Sequence, residues 1–195
     1  KEILVKCGYY PHVDLKFYEE NPRLYSIIFA GEKSLTQEEI EERLSDKDYV
    51  KILAQSIKAN GGLTDPIIVR GGDLVVLEGN SRLAAYRILA KRDPVKWSKI
   101  KCKMLPSNIS DDLVFTLLGE YHIIGRKDWQ PYEQAGYLFR RYKQQNIPLE
   151  RIEKELGLKK KDIEHLIEVY SFMLKHGETD IARWSYYEEY IKSNY

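Results

Sequence analysis

Apolar and polar residues alternate loosely over the first ten positions, where Ile3, Val5, Cys7 and Tyr9 share one side of an extended chain. That period of two predicts a half-buried strand. Val13-Asp14-Leu15-Lys16-Phe17 resumes it after Pro11, and Glu20-Asn21-Pro22-Arg23 breaks it as a turn, because Pro22 has no N–H for a ladder. From Thr36 the period lengthens. Thr36-Gln37-Glu38-Glu39 forms a capping box that opens a helix ending near Leu44. Asp46 or Asp48 caps the next helix, which carries Tyr49, Ile52, Leu53, Ser56 and Ile57 on one face and stops at Asn60-Gly61-Gly62. Pro66 to Arg70 and Leu74 to Leu77 flank Gly71-Gly72-Asp73 as a hairpin whose continuous apolar runs predict burial on both faces. A Leu- and Ala-rich helix follows from Ser81 to about Lys91, then a last alternating strand from Ile100 to Leu105. Pro106-Ser107-Asn108 marks a boundary, and the remainder reads as helix with turns at Gly125, Pro131, Pro148, Gly157 and Gly177. The pattern predicts an α+β chain, with a small α/β domain over residues 1–106 and an all-α domain over 107–195.

Composition narrows the function classes. At 195 residues the chain holds one large domain or two small ones. No apolar run is long enough to span a bilayer and no signal-peptide pattern is present, so the expected setting is the cytoplasm with no membrane partner. The absence of an initial methionine is compatible with a longer native protein. Cys7 and Cys102 lie far apart, outside any metal-ligand spacing, and are expected to be buried reduced thiols; no metal site is expected. The net charge of +1 lacks the basic excess of a strong phosphate-backbone binder. Fifteen tyrosines supply amphipathic rings suited to a partner surface.

The chemistry concentrates between Leu74 and Leu89. A buried strand ends at Leu77, Glu78 and Gly79 make the turn, and a helix starts within two residues. A helix N-terminus carries unpaired N–H groups and partial positive charge, so it attracts phosphate. Gly79 lets the backbone approach a ligand without a Cβ in the way. Asn80 or Ser81 can cap the helix or donate to a phosphate oxygen, and Arg82 brings a planar donor fork suited to phosphate. The same junction also serves as an ordinary strand-to-helix turn with a solvated arginine.

Asp65-Pro66-Ile67-Ile68-Val69, followed by Val75-Val76-Leu77-Glu78-Gly79-Asn80-Ser81-Arg82-Leu83-Ala84-Ala85, resembles the ParB/sulfiredoxin N-terminal domain. Ser56-Ile57, Gly61 and Pro66-Ile67 supply the stretch that precedes the family's Gly-x-x-Arg turn, and Asn21-Pro22-Arg23 resembles its Asn-Pro and Arg elements. The resemblance covers roughly residues 13 to 105. It implies that Gly79, Asn80, Ser81 and Arg82 hold nucleotide phosphates with Arg23 nearby, the nucleotide being CTP or ATP with Mg²⁺. Two departures bear on activity. The partition proteins usually carry Glu-Arg-Arg after the glycine, where this chain has Asn80-Ser81-Arg82, and sulfiredoxins need a cysteine in the turn, where this chain has none.

A second block, Glu120 to Ala135, is similar to the ParB stretch Glu-Asn-x-x-Arg followed by Pro-x-Glu-x-Ala, with Arg126, Pro131, Glu133 and Ala135 in register. His122-Ile123 stands in place of the Glu-Asn pair, and isoleucine cannot ligate Mg²⁺, so hydrolysis of the partition type is not expected. His122 is either a phosphate contact or a packed ring. Leu149 to Glu168 resembles a helix-turn-helix unit: Ile152, Leu156, Leu158, Ile163 and Leu166 fit two helices packed across a Gly157 turn. As a DNA reader it would present Lys159, Lys160, Lys161 and His165, although Glu153 stands where that unit usually has a small residue. The tail places Ile181, Trp184, Tyr187 or Glu188, and Ile191 at helical spacing as a packing face, or as a dimer or partner contact, such as a homodimer. The favoured expectation is a ParB-like protein that binds DNA and responds to a nucleotide. The alternatives are a kinase or nuclease of the same fold with Glu78 as base, or a protein-interaction module with a vestigial phosphate turn.

Overall fold

Residues 4–24, 35–125 and 129–193 are described by the computed structural model, Arg23 by its backbone alone. The chain is α+β, as its periodicities predict. Five strands, β1 (Lys6–Pro11), β2 (Lys16–Phe17), β3 (Ile67–Arg70), β4 (Val75–Glu78) and β5 (Lys99–Leu105), form one mixed sheet in the order β1-β5-β3-β4-β2. β1 and β5 pair antiparallel, as do β3 and β4, whereas β3 with β5 and β2 with β4 run parallel. Helices α1 (Gln37–Ser45), α2 (Asp48–Ala59) and α3 (Asn80–Ala90) accompany the sheet. The chain divides into two units, Lys1–Asn21 with Ser34–Val114, and Pro22–Lys33 with Phe115–Tyr195.

In the first unit most elements arise where the sequence places them. Thr36 Oγ1 accepts the Glu39 N–H at 3.2 Å while the Glu39 carboxylate accepts the Thr36 N–H at 2.8 Å, closing the expected capping box of α1. β3 is buried along Ile67, Ile68 and Val69, as a strand covered on both faces should be. In its hairpin the left-handed residue is Leu74 (φ 60°). The Asp73 carboxylate sets that turn, accepting Arg70 Nε and Nη2 and the Val75 N–H. Arg87 of α3 ties three more segments together. Its Nη1 donates to Glu41 of α1 at 2.6 Å, its Nη2 donates to the Leu15 carbonyl at 2.7 Å, and the guanidinium lies 4.8 Å from the centre of the Phe17 ring.

Two expectations are corrected here. The buried face of α2 is Val50, Ala54 and Ile57, with Tyr49 and Ile52 in solvent at 46% and 65% exposure. Apolar residues lie on both sides of this helix, and the side built around the small Ala54 is the one that packs on α3. The two cysteines also differ. Cys102 is central and buried, and burial pushes its thiol up to about 12. Cys7 is exposed, because β1 is an edge strand paired on one side only.

The second unit is helical. Helix α4 (Asp111–Gly119) runs across the division and continues as a wider π-type turn (Glu120–Gly125). Then come α5 (Pro131–Phe139), a second π-type turn (Arg140–Gln144), α6 (Leu149–Leu156), α7 (Lys160–Lys175) and α8 (Trp184–Ser193). Pro131 sits in the first turn of α5 as expected, and the Glu133 carboxylate accepts the Gln130 N–H at 2.7 Å. Tyr132, Ala135, Val169, Tyr170, Met173, Trp184 and Ile191 form the core, so the tail does use Trp184 and Ile191 for packing. Among the described residues no helix is long and apolar enough to cross a membrane.

Candidate functional site

The Glu78-to-Arg82 segment is a strand-to-helix junction with a single residue between the two elements. β4 ends at Glu78, Gly79 takes the left-handed conformation (φ 97°, ψ 25°), and α3 begins at Asn80. Two facts make residue 79 a glycine. The conformation is costly for any side chain, and an added Cβ would lie 2.6 Å from Ile67 Cγ2. Gly79 is itself the N-cap, with no side-chain bond, so neither Asn80 nor Ser81 caps the helix as the sequence suggested. A helix entered through a glycine turn needs no side-chain cap to reverse the chain, which leaves the following polar side chains for other uses.

Asn80 has such a use. Its Oδ1 accepts the Tyr18 N–H at 2.9 Å, and its Nδ2 donates to the Val76 carbonyl at 2.8 Å. At 4% exposure the amide braces the chain just past β2 against β4. Ser81 is buried beside it. Arg82 turns back toward the sheet. Nη1 donates to the carbonyls of Asp65 at 2.7 Å and Pro66 at 3.2 Å, and Nη2 donates to Glu78 Oε2. Its Nε lies 3.1 Å from the point where a Cβ on Gly79 would stand, so the guanidinium lies against the glycine.

Tyr86 follows Arg82 by four residues on α3, hence on the same helix face. It lines a pocket of about 280 Å³ together with the 60–64 loop, Tyr9 and Lys101. Burial raises the Tyr86 hydroxyl above its ordinary value, with Tyr9 and Cys102 adding to the shift. The 60–66 stretch therefore serves twice, as a wall of this pocket and as the source of the carbonyls that position Arg82. Sequence reasoning does not single out Tyr9, Tyr86 or Lys101. The four-residue step from Arg82 to Tyr86 was the available signal, whereas Tyr9 and Lys101 meet only through the β1–β5 register, where they are direct partners.

The other expected site residues lie in the second unit or outside the described residues. Arg126 and the Arg23 side chain fall outside them. His122 is buried in the Glu120–Gly125 turn and stacks on Trp129, with ring centres 4.3 Å apart and planes at 14°. Ile152, Leu156 and Ile163 are buried where α6 and α7 pack across Gly157. Glu153, unexpected at its position in a helix-turn-helix unit, is accounted for by the helix that follows it. Its carboxylate accepts the Lys160 N–H at 3.1 Å and so caps α7. Lys159 and Lys161 are exposed, and Lys160 Nζ pairs with Glu150 at 2.6 Å. That pair raises Lys160 and lowers Glu150 from their ordinary values through a shared hydrogen bond. His165 Nε2 lies 3.2 Å from Glu188, whose carboxylate also binds Lys192 at 3.0 Å. Burial pushes the Glu188 carboxyl up, but Lys192 and His165 outweigh it and hold it below the ordinary range. Among the described residues no group of three His, Cys, Asp or Glu side chains gathers as a metal site.

No family model matches the sequence. No curated protein matches it either. Solved structures to which the chain is similar include a Pnob8-like ParB-N domain, at 15% identity and a TM-score of 0.46, covering 85% of this chain and 53% of that one. Another is the C-terminally truncated chromosome-partitioning protein ParB from Caulobacter crescentus complexed to the centromeric parS site, at 15% identity and a TM-score of 0.40, covering 83% of this chain and 71% of that one. A third is the same truncated protein complexed with CTP-gamma-S, at 15% identity and a TM-score of 0.35, covering 92% and 89%. The chain spans about half the length of the first of these. Each likeness is one of fold.

Proposed function

We propose that this chain is a ParB-like DNA-binding protein whose state is set by a nucleotide, CTP or ATP, held by its phosphates at the Gly79–Arg82 turn. The observation that carries the reading is Arg82, a guanidinium laid against a left-handed glycine at the start of α3, with a ring-lined pocket one helical turn along the same face. Gly79 brings the backbone and the Arg82 guanidinium close together at the start of α3, and the first amides of a helix have no intrahelical partner, so the turn offers donors to phosphate oxygens. A pocket of about 280 Å³ suits a single ring system, and Tyr9 and Tyr86 are the rings against which a base would lie. Mg²⁺ would arrive on the phosphates, since no cluster of protein ligands stands ready for it among the described residues.

DNA is assigned to the α6–α7 pair, where Lys159 and Lys161 stand exposed at the start of the longer helix. Coupling the two sites requires that the nucleotide bind one arrangement of the chain more tightly than another. Calorimetric titration of the full chain with CTP and with ATP in Mg²⁺ tests the phosphate site. Saturable heat with one nucleotide, abolished by Arg82→Ala in a variant that keeps its folded circular dichroism, is the expected result. No heat with either nucleotide removes the reading.

A further inference from the structure

Glu78 and Arg82 stand four residues apart on either side of Gly79, one closing β4 and the other in the first turn of α3. The Arg82 guanidinium has two kinds of partner. The carbonyls of Asp65 and Pro66 take Nη1 and fix where the group sits. The Glu78 carboxylate takes Nη2. The side chains of Arg82 and Glu78 are 15% and 11% exposed, so solvent screens the pair weakly. The carbonyl bonds occupy Nη1 alone, so the donors on Nε and Nη2 are the ones a phosphate would use. The carboxylate is different. It makes the same planar, charge-assisted demand on an Nη group that a phosphate oxygen makes, and a carboxylate and a phosphate brought to one NH2 group repel each other as like charges.

We infer that Glu78 is a built-in competitor for Arg82: its carboxylate holds the guanidinium edge that a phosphate would take, and a phosphorylated ligand binds only by displacing it. The inference rests on reading the Gly79–Arg82 turn as a phosphate site, and it adds a regulator to that site. Observed affinity for phosphate is then the intrinsic affinity reduced by the fraction of time the edge is available. A carboxylate four residues from its arginine is always at hand, so weak or singly charged anions are kept out. A ligand with several phosphate oxygens, able to use the helix amides as well, can still win the exchange.

The experiment is titration of the full chain with inorganic triphosphate, in the wild type, Glu78→Gln, Arg82→Ala and the double variant. Glutamine keeps an oxygen for Arg82 but removes the charge, so E78Q should bind at least about tenfold tighter, the gain expected if the edge is occupied nine-tenths of the time or more. R82A should abolish binding with or without E78Q. Equal or weaker binding by E78Q, with R82A still abolishing it, overturns the competitor while leaving the phosphate site standing. Absence of binding by both the wild type and E78Q overturns both. A measurement on the wild type alone guards against a variant that fails to fold. On adding triphosphate, the ¹³C carboxyl resonance of Glu78 and the guanidinium resonances of Arg82 should move together; movement of Arg82 without Glu78 overturns the inference.

Discussion

Gly79 shows what a single residue contributes at this junction. Alanine there would bring the left-handed penalty and a Cβ 2.6 Å from Ile67 Cγ2, and Ile67 is fully buried, so it has little freedom to retreat. Gly79→Ala is expected to cost about 2–4 kcal/mol, the sum of the backbone term and an overpacking term, read as a lower midpoint in urea unfolding. A cost under about 1 kcal/mol would mean that β3 moves aside easily. The sequence revealed this glycine because strand, glycine and helix follow one another along the chain, a local signal. It did not reveal that Asn80 faces inward. That orientation depends on the Tyr18 amide, 62 residues away, which no local pattern records.

At the scale of elements, the Arg87 brace joins α3 to α1 and to the segment before β2, and it makes stability depend on pH. Burial, followed by the nearby Arg87 charge, holds His12 below its ordinary value of 6.5. Burial pushes the Glu41 carboxyl up, but the Arg87 hydrogen bond and charge, helped by Lys91, outweigh it and leave Glu41 below its ordinary value of 4.5. Both folded values are depressed, so both contributions are complete above the unfolded value and are lost as pH falls through the folded one. Stability should therefore decline in two stages, the first below about pH 6.5 from His12 and the second below about pH 4.5 from Glu41. Thermal melts of His12→Gln should lose the first stage and keep the second; a first stage of unchanged size would refute the assignment. The elements themselves were largely legible. The capping box of α1, the β3–β4 hairpin and the packed tail follow from local chemistry. The buried face of α2 was not legible, because two apolar stripes compete on that helix and only the neighbouring helix decides between them.

For the whole molecule, electrostatics limits how DNA could be held. Net charge is +1, and the exposed start of α7 offers Lys159 and Lys161, while Lys160 is paired with Glu150, and Glu164 and Glu168 are exposed further along. With so few cations in contact, the logarithm of the DNA association constant should fall against the logarithm of salt with a slope of about −2 to −3. Fluorescence anisotropy between low and physiological salt measures it, and a slope steeper than about −6 would place the contact elsewhere on the surface. The α+β architecture was readable from the change of period along the chain. The pairing of strands was not, since register between distant segments leaves no local trace. That pairing has a consequence for synthesis. β1 leaves the ribosome well before its partner, the last strand of the sheet, with Lys6 opposite Met104. At roughly 5–20 residues per second, β1 waits roughly 5–20 seconds for that partner to be translated. Throughout that interval its hydrogen-bonding edge is open to any other extended chain nearby, so β1 is most exposed to mispairing before β5 arrives.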